Sequence, residues 1–391
     1  MRFIDPSPAI LAIGTAVPPY RITQAEVCAW VSDSLDASPS QRRLIERLYA
    51  LSGIETRYSC LPDAAALAPK SRFAPGRRLD ETPTTAERMA IYQREAVQIG
   101  VAAAQRALAA PQLPDAAESV THLIVVSCTG FFAPGLDLAI AQRLGLRPSV
   151  QRTLVGFMGC AAAFNGLRLA AQIVAGQPDA RVLVVCVELC TIHLQPGSDR
   201  IALTVASLFA DGAAACLVGA AGQAGDLLLL NRLHSQVQPD TEDAMAWQIG
   251  NHGFVMSLSP DVPRHVGTLA PSALATLLDG QPPPTFWAIH PGGRAIVDRL
   301  AELLQLAPAQ TAASYAVLRR YGNMSSPTIL FVLRELLDQL RPAAKPVDGV
   351  AVAFGPGLVT EMASLTYIPP VALRPSAVQL PQLLEAPRYV A

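Results

Sequence analysis

Charge is scarce in this chain. Of 391 residues only 16% are Asp, Glu, Lys or Arg, against 51% hydrophobic, and the two signs nearly cancel to a net −1 at pH 7. That balance leaves no whole-molecule field to draw nucleic acid or an anionic membrane. So apolar a composition excludes a disordered chain, and a surface this poor in charge implies a large buried interface, as in a homodimer. Lysine is nearly missing, Lys70 and Lys345 being the only two. No apolar run reaches the ~18 residues of a membrane span, and no fibrous repeat, low-complexity tract or dinucleotide fingerprint is present. The seven cysteines, an odd number, do not read as a disulfide framework in a chain this long. Arg2 and the apolar stretch 9–17 are interrupted by Asp5, Pro6, Pro8 and Gly14, which favours an early strand over a signal peptide. A cytoplasmic protein is the expectation.

The length suggests two or three domains or one large duplicated fold. Short Val-, Ile- and Leu-rich runs at 121–128, 181–189, 213–218, 227–233, 286–290 and 349–354 alternate with helical patterns, which argues α/β. One helix is expected from about Ala161 to a stop at Gly176. Another is expected from Pro327 to about Leu340, with Ser326 as its N-cap. Two halves meet near 220–226, giving units 1–225 and 226–391. Each half carries a strand ending in a polar or thiol group and a small-residue turn: Val125-Val126-Ser127-Cys128-Thr129-Gly130 and Trp287-Ala288-Ile289-His290-Pro291-Gly292-Gly293. The stretch 61–85 and the tail after Pro369 read as loop.

Four segments can carry chemistry. Cys160 sits where an apolar strand, Leu154 to Met158, meets Gly159 and an Ala-rich helix; unsatisfied N–H groups and the dipole there favour a thiolate, and Gly159 lets backbone approach the sulfur closely. Cys160 is either a nucleophile or a small residue filling a tight turn. His290 ends a strand at the rim of a sheet, where open α/β sheets place ligands, and serves either as a proton acceptor or as a structural strand end. Asn323 precedes a helix; its amide can donate to an oxyanion without competing as a base, or simply make a turn. Gly355-Pro356-Gly357 make a rigid turn after a strand. Cys186 and Cys190, four apart on one expected strand, share a face, but with His193 they lack a fourth ligand nearby, so no metal is expected. Arg42, Arg43 and Arg47 lie on a helix as a solvated face or a phosphate grip.

Gly159-Cys160-Ala161-Ala162, Leu208-Phe209-Ala210-Asp211-Gly212-Ala213-Ala214, Ile289-His290-Pro291-Gly292-Gly293, Gly322-Asn323-Met324-Ser325-Ser326 and Phe354-Gly355-Pro356-Gly357 occur in that order. Together they resemble the type III polyketide synthases, the chalcone synthase-like family, over about residues 8–368. The resemblance implies a thiolase-like, five-layered αβαβα fold of two similar halves, a homodimer, and iterative decarboxylative condensation of malonyl-CoA onto a starter acyl-CoA. It implies no cofactor beyond the CoA thioesters. By position Cys160 would be the acyl-accepting nucleophile, with His290 and Asn323 stabilising the thioester oxyanion and His290 helping to keep Cys160 ionised. Phe209 would be the gate between CoA tunnel and chamber, and Gly355, Pro356 and Gly357 would shape that chamber. Thr129, Gly292 and Ala295 fall among its substrate-binding positions. Arg47 matches one CoA-binding basic position; two others hold Leu44 and Leu51, which leaves Arg42 or Arg43 to substitute.

Departures from plant chalcone synthases fall on the chamber wall. Met256 stands for a second gatekeeping Phe, Trp247 for a Gly, His193 for a Thr, Ala133 for the Met that crosses the plant dimer, and Cys128-Thr129 for a Thr-Ser pair. The pattern resembles bacterial branches making alkylpyrones, alkylresorcinols or small phenolics. The alternatives are another CoA-dependent condensing enzyme of the initiating type, a Cys-His-Asn thioester hydrolase, and a non-catalytic partner protein of the same fold.

Overall fold

A computed structural model describes residues 7–62, 68, 71–110, 116–221 and 227–370. Its strands are β1 (Pro8–Ala16), β2 (Tyr20–Thr23), β3 (Thr56–Ser59), β4 (His122–Ser127), β5 (Gln151–Gly156), β6 (Val182–Leu189), β7 (Asp211–Ala220), β8 (Leu227–Val237), β9 (Met245–Gly250), β10 (Gly253–Leu258), β11 (Phe286–Ile289), β12 (Val347–Gly355) and β13 (Val359–Ile368). Nine of them make one sheet, ordered β11-β12-β13-β8-β1-β7-β6-β4-β5, while β2 pairs with β3 and β9 with β10.

The sheet contains a repeated quartet. β4 runs parallel to β6, β6 antiparallel to β7, and β7 antiparallel to β1; likewise β11 runs parallel to β12, β12 antiparallel to β13, and β13 antiparallel to β8. β1 and β8 join the quartets, and β5 is added parallel to β4 at a free edge. β4 and β11 are therefore counterparts, and their C-terminal ends deliver Cys128-Thr129 and His290.

Strand alternation sorts side chains into layers. Leu123 and Val125 of β4 face an outer layer with helices Gln24–Ser34 and Thr85–Leu108, whereas Ile124 and Val126 face helices Ala162–Gly176 and Thr328–Leu340. The same two central helices meet Ala351 and Leu365 of the second quartet, whose other face packs on helices Val262–Leu278 and Arg294–Leu303. The result is five layers, αβαβα. Helix Thr328–Leu340 shows why it is central: it buries Ile329, Leu330, Phe331, Val332, Leu333, Leu336 and Leu337, each worth roughly 1.5–3 kcal/mol on full burial.

Several expectations need correction. The helix ending near Leu340 begins at Thr328 with Pro327 as its cap, and the Ser326 hydroxyl donates to Glu188 Oε1 at 2.6 Å instead of capping. The run before Cys160 is strand only to Gly156, because Phe157 turns the chain with φ +57°. Cys190 does not share a strand with Cys186; it opens a short 3-10 turn, Cys190–His193, beyond β6. Within 61–85 the turn Leu79–Glu81 is 3-10 helix, while 63–67 and 69–70 lie outside the described residues. So do 222–226 of the joint, with the boundary between 225 and 226, and the tail from 371. β13 and the β9–β10 hairpin were not expected at all. Among the described residues no helix is long and apolar enough to cross a membrane, and no cluster of His, Cys, Asp or Glu is arranged to hold a metal.

Candidate active site

Cys160 lies in a 3-10 turn, Gly159–Ala161, that feeds directly into helix Ala162–Gly176. It is 6% exposed and borders a cavity of about 470 Å³. Gly159 is required here for two reasons: its φ is +70°, and a Cβ would overlap the Pro356 ring. Its N–H donates to Cys128 Sγ at 3.0 Å. The glycine therefore makes room for Pro356 rather than for backbone beside the nucleophile's own sulfur.

The thiol does not behave as a helix N-terminus alone would dictate. Burial pushes Cys160 up to about 11, against the pull of hydrogen bonds from Ser325 and Asn323 and with a further push from the Glu188 carboxyl. Burial likewise drives His290 down to about 3. Desolvation is the largest influence on both groups, and it favours a neutral thiol and a neutral imidazole.

His290 follows β11; its main-chain N–H donates to Val352 O at 2.8 Å. The side chain is 1% exposed, and neither Nδ1 nor Nε2 has a hydrogen-bond partner in the protein. Asn323 is held on both sides. Its Nδ2 donates to Gly292 O at 2.9 Å and its Oδ1 accepts from Ser325 N–H at 2.8 Å. One amide N–H is thereby fixed, and the amide also pulls the Cys160 thiol down against the push of burial. Ser325, at φ +58°, also lines the cavity. It was not singled out in the sequence, where only the Gly-Asn-Met-Ser-Ser string points to it.

The facing wall is the β9–β10 hairpin. Trp247 and Met256 sit opposite one another in its register and both line the cavity, as do Thr129, His193, Phe209 and Pro356. Trp247 Nε1 donates to Cys128 O at 2.8 Å. His193 is stacked on Phe254 at 4.2 Å and met edge-on by Trp247 at 5.6 Å. Its Nδ1 accepts from Phe254 N–H at 3.0 Å and its Nε2 lies 2.7 Å from Thr129 O, which makes Nε2 the protonated nitrogen.

Behind this wall is Glu188, fully buried on β6. It accepts from Cys128 N–H at 2.9 Å, Thr129 Oγ1 at 2.8 Å and Ser326 Oγ at 2.6 Å. Burial raises this carboxyl to about 7, while those donors oppose the rise. A lone carboxylate in an otherwise apolar strand was the available signal for it. His290 and Asn323 do not themselves border the cavity, and the remaining sequence candidates also lie off it. Gly292 serves through its carbonyl, which orients Asn323; Ala295 is exposed on helix Arg294–Leu303; Gly355 and Gly357 flank Pro356 without bordering the cavity. Arg47 is exposed on helix Pro39–Leu51, also away from it, and Arg42 pairs with Asp33 at 3.0 Å.

A buried thiol ahead of a helix, a histidine with free ring nitrogens and an oriented amide, on a five-layered fold of thiolase type, are the groups that acyl-transferring condensation needs. The family model for chalcone and stilbene synthases matches twice, its N-terminal domain over residues 5–222 and its C-terminal domain over 230–369. The alpha-pyrone synthesis polyketide synthase-like Pks18 of Mycobacterium tuberculosis is 35% identical over 360 residues, covering 90% of this chain and 89% of that protein. The 1,3,6,8-tetrahydroxynaphthalene synthase of Streptomyces peucetius subsp. caesius is 31% identical over 377 residues, 93% of this chain and 94% of that one. The crystal structure of PKS-I from the brown alga Ectocarpus siliculosus aligns with a TM-score of 0.82 and 32% identity, over 93% of this chain and 98% of that chain. The chain belongs to the chalcone and stilbene synthase family, the type III polyketide synthases. It is a condensing enzyme of the acyltransferase type, of a family that uses acyl-CoA substrates.

Proposed function

We propose that Cys160 takes the starter acyl group from CoA and that malonyl-CoA supplies the extender units. Supporting this most directly is a cavity-lining thiol that feels Ser325 and Asn323, with the Asn323 amide held by the carbonyl of Gly292, two residues from a buried histidine whose ring nitrogens are both unpartnered. Cys160 Sγ attacks the starter thioester carbonyl as its proton passes to His290, and the CoA thiolate leaves. Malonyl-CoA then loses carbon dioxide. The electron pair of the broken C–C bond becomes an enolate, whose oxygen is held by N–H donors of Asn323 and His290. The enolate carbon attacks the Cys160 thioester and the thiolate is released. These groups suffice for the chemistry, and the reaction runs on CoA thioesters with no resident cofactor.

Trp247 and His193 fill the wall that a smaller residue pair would open, which favours short intermediates and a small pyrone, resorcinol or phenolic product. The chain works as a homodimer of two-half subunits. β5 supports this: it is an edge strand with Leu154 42% and nearby Met158 43% exposed, and pairing or covering is one way such an edge is protected. Seven free thiols suit the reducing cytoplasm. Mass spectrometry of products from malonyl-CoA with a panel of acyl-CoAs tests the reaction, and intact-protein mass tests the nucleophile. Wild type should gain the acyl mass and Cys160→Ala should not; an acylated Cys160→Ala variant would sink the assignment.

A further inference from the structure

Arg57 lies on β3, 6% exposed, in a stretch that none of the motifs includes. Its Nη1 donates to two carbonyl oxygens, Ala206 at 2.6 Å and Phe209 at 2.8 Å. Both belong to the C-terminal end of helix Arg200–Leu208, where the last carbonyls have no partner within the helix and the dipole favours a cation. The carbonyls between them are also taken. Gln24 Nε2 donates to Ser207 O at 2.8 Å, and the main-chain N–H of Asn323 donates to Leu208 O at 3.0 Å. Ala210 N–H returns to the Asn323 carbonyl at 2.9 Å, so Phe209 and Asn323 are bridged side by side.

The neighbours of Arg57 hold the other arm of this bridge. Glu55 N–H donates to Arg319 O at 2.8 Å and the Thr56 hydroxyl to Arg320 O at 2.7 Å. Those carbonyls end helix Pro308–Tyr321, which delivers Asn323. The stem of Arg57 runs past Gly322, where φ is +70° and a Cβ would stand 3.2 Å from Arg57 Cγ and Cδ. Phe209 itself borders both the 470 Å³ chamber and a second cavity of about 40 Å³, which Arg57 also lines. With open space on two sides of the ring, the main-chain anchor carries much of the work of placing it.

We propose that Arg57 is a positioning residue that sets the Phe209 gate and the Asn323 amide as one unit for the decarboxylation step. This rests on the roles given above to Phe209 and Asn323. It acts through two carbonyl oxygens and a packed glycine, without touching substrate.

The test compares two reactions of the full-length enzyme. Arg57→Met keeps the length of the stem and removes every donor. Its malonyl-CoA decarboxylation is expected to fall about 10- to 100-fold, the scale of a small misplacement of a reacting group, while acylation of Cys160 by a starter acyl-CoA changes little. Arg57→Lys restores a cation at the helix end and should recover part of the loss. In an Asn323→Ala background, Arg57→Met should slow decarboxylation no further, because groups acting as one unit are not additive. If the double variant is slower than Asn323→Ala by the full Arg57→Met factor, or if loading and decarboxylation fall in equal proportion, the proposal is overturned. Should Arg57→Met not fold, Arg57→Lys carries the same cycle; if neither folds, Arg57 is a folding residue and the proposal fails. A wild-type enzyme that neither loads nor decarboxylates would instead overturn the reading of the site on which it rests.

Discussion

His193 and His290 are buried to nearly the same degree, 4% and 1% exposed, and burial drives both imidazoles down to about 3. They differ in what their nitrogens meet. His193 spends both on backbone groups, Phe254 N–H and Thr129 O, and carries an aromatic ring on its face. His290 spends neither. Burial and titration thus fail to separate scaffold from chemistry, and hydrogen-bond satisfaction separates them. A satisfied imidazole has a fixed tautomer and no free lone pair. An unsatisfied one has an energetic reason to bind a proton or an oxygen that arrives with substrate.

The largest effect should come from exchanging these histidines for alanine one at a time. His290→Ala is expected to lower malonyl-CoA decarboxylation by roughly 10²–10³ with little change in melting temperature, the scale of one lost oxyanion donor. His193→Ala should do the reverse. It keeps Cys160 loading but leaves Phe254 N–H and Thr129 O without partners, at about 1–3 kcal/mol each if they remain dry. Steady-state rates and thermal melts on the two variants would break the comparison if both lost activity alike.

A smaller and more graded effect concerns the thiol. With Cys160 pushed up to about 11, the thiolate fraction rises as pH rises. Iodoacetamide alkylation should therefore climb about tenfold per pH unit through the neutral range, the slope of a simple titration below its midpoint. A plateau extending down to pH 6 would instead mean that His290 is already protonated and paired with the thiolate at rest. That would reverse the description of His290 as a neutral imidazole.

The smallest effect on rate, though not on product, is expected at Trp247. Trp247→Gly frees chamber volume and removes the bond to Cys128 O, which contributes about 1 kcal/mol. Longer polyketides or a bulkier accepted starter should appear in product mass spectra while Cys160 still loads. An unchanged product spectrum with a much lower melting temperature would move Trp247 from the chamber wall to the scaffold, beside His193.

Legibility in the sequence followed the same division. β4, β6 and β7 could be read because continuous apolar runs have few other uses. The β9–β10 hairpin could not, because it is half-exposed and its alternation carries Gln248 and Ser257 beside Trp247 and Met256. β13 was hidden by Thr360 and Glu361, whose polar groups are buried in the fold. Cys160 was visible as a strand–glycine–cysteine–helix junction, but the burial that pushes its thiol upward was not, since depth of burial is not written in the local string. Glu188 and Arg57 were missed because what defines them lies far along the chain: Ser326 is 138 residues from Glu188, and Phe209 is 152 from Arg57. The family's motifs supply roles, but they do not say which side chains are left without partners.

The contact between Gly159 and Pro356 joins the residue before the nucleophile to a turn almost two hundred positions later. It sets an order of events for anyone diversifying this enzyme. Randomising residue 159 alone should yield almost only glycine among active clones, because every other side chain meets the proline ring and a left-handed backbone. Randomising 355–357 first removes the ring, and residue 159 is then restrained by its backbone angle alone, which asparagine also tolerates. The two positions form an epistatic pair in which the turn must change before the nucleophile's neighbour can.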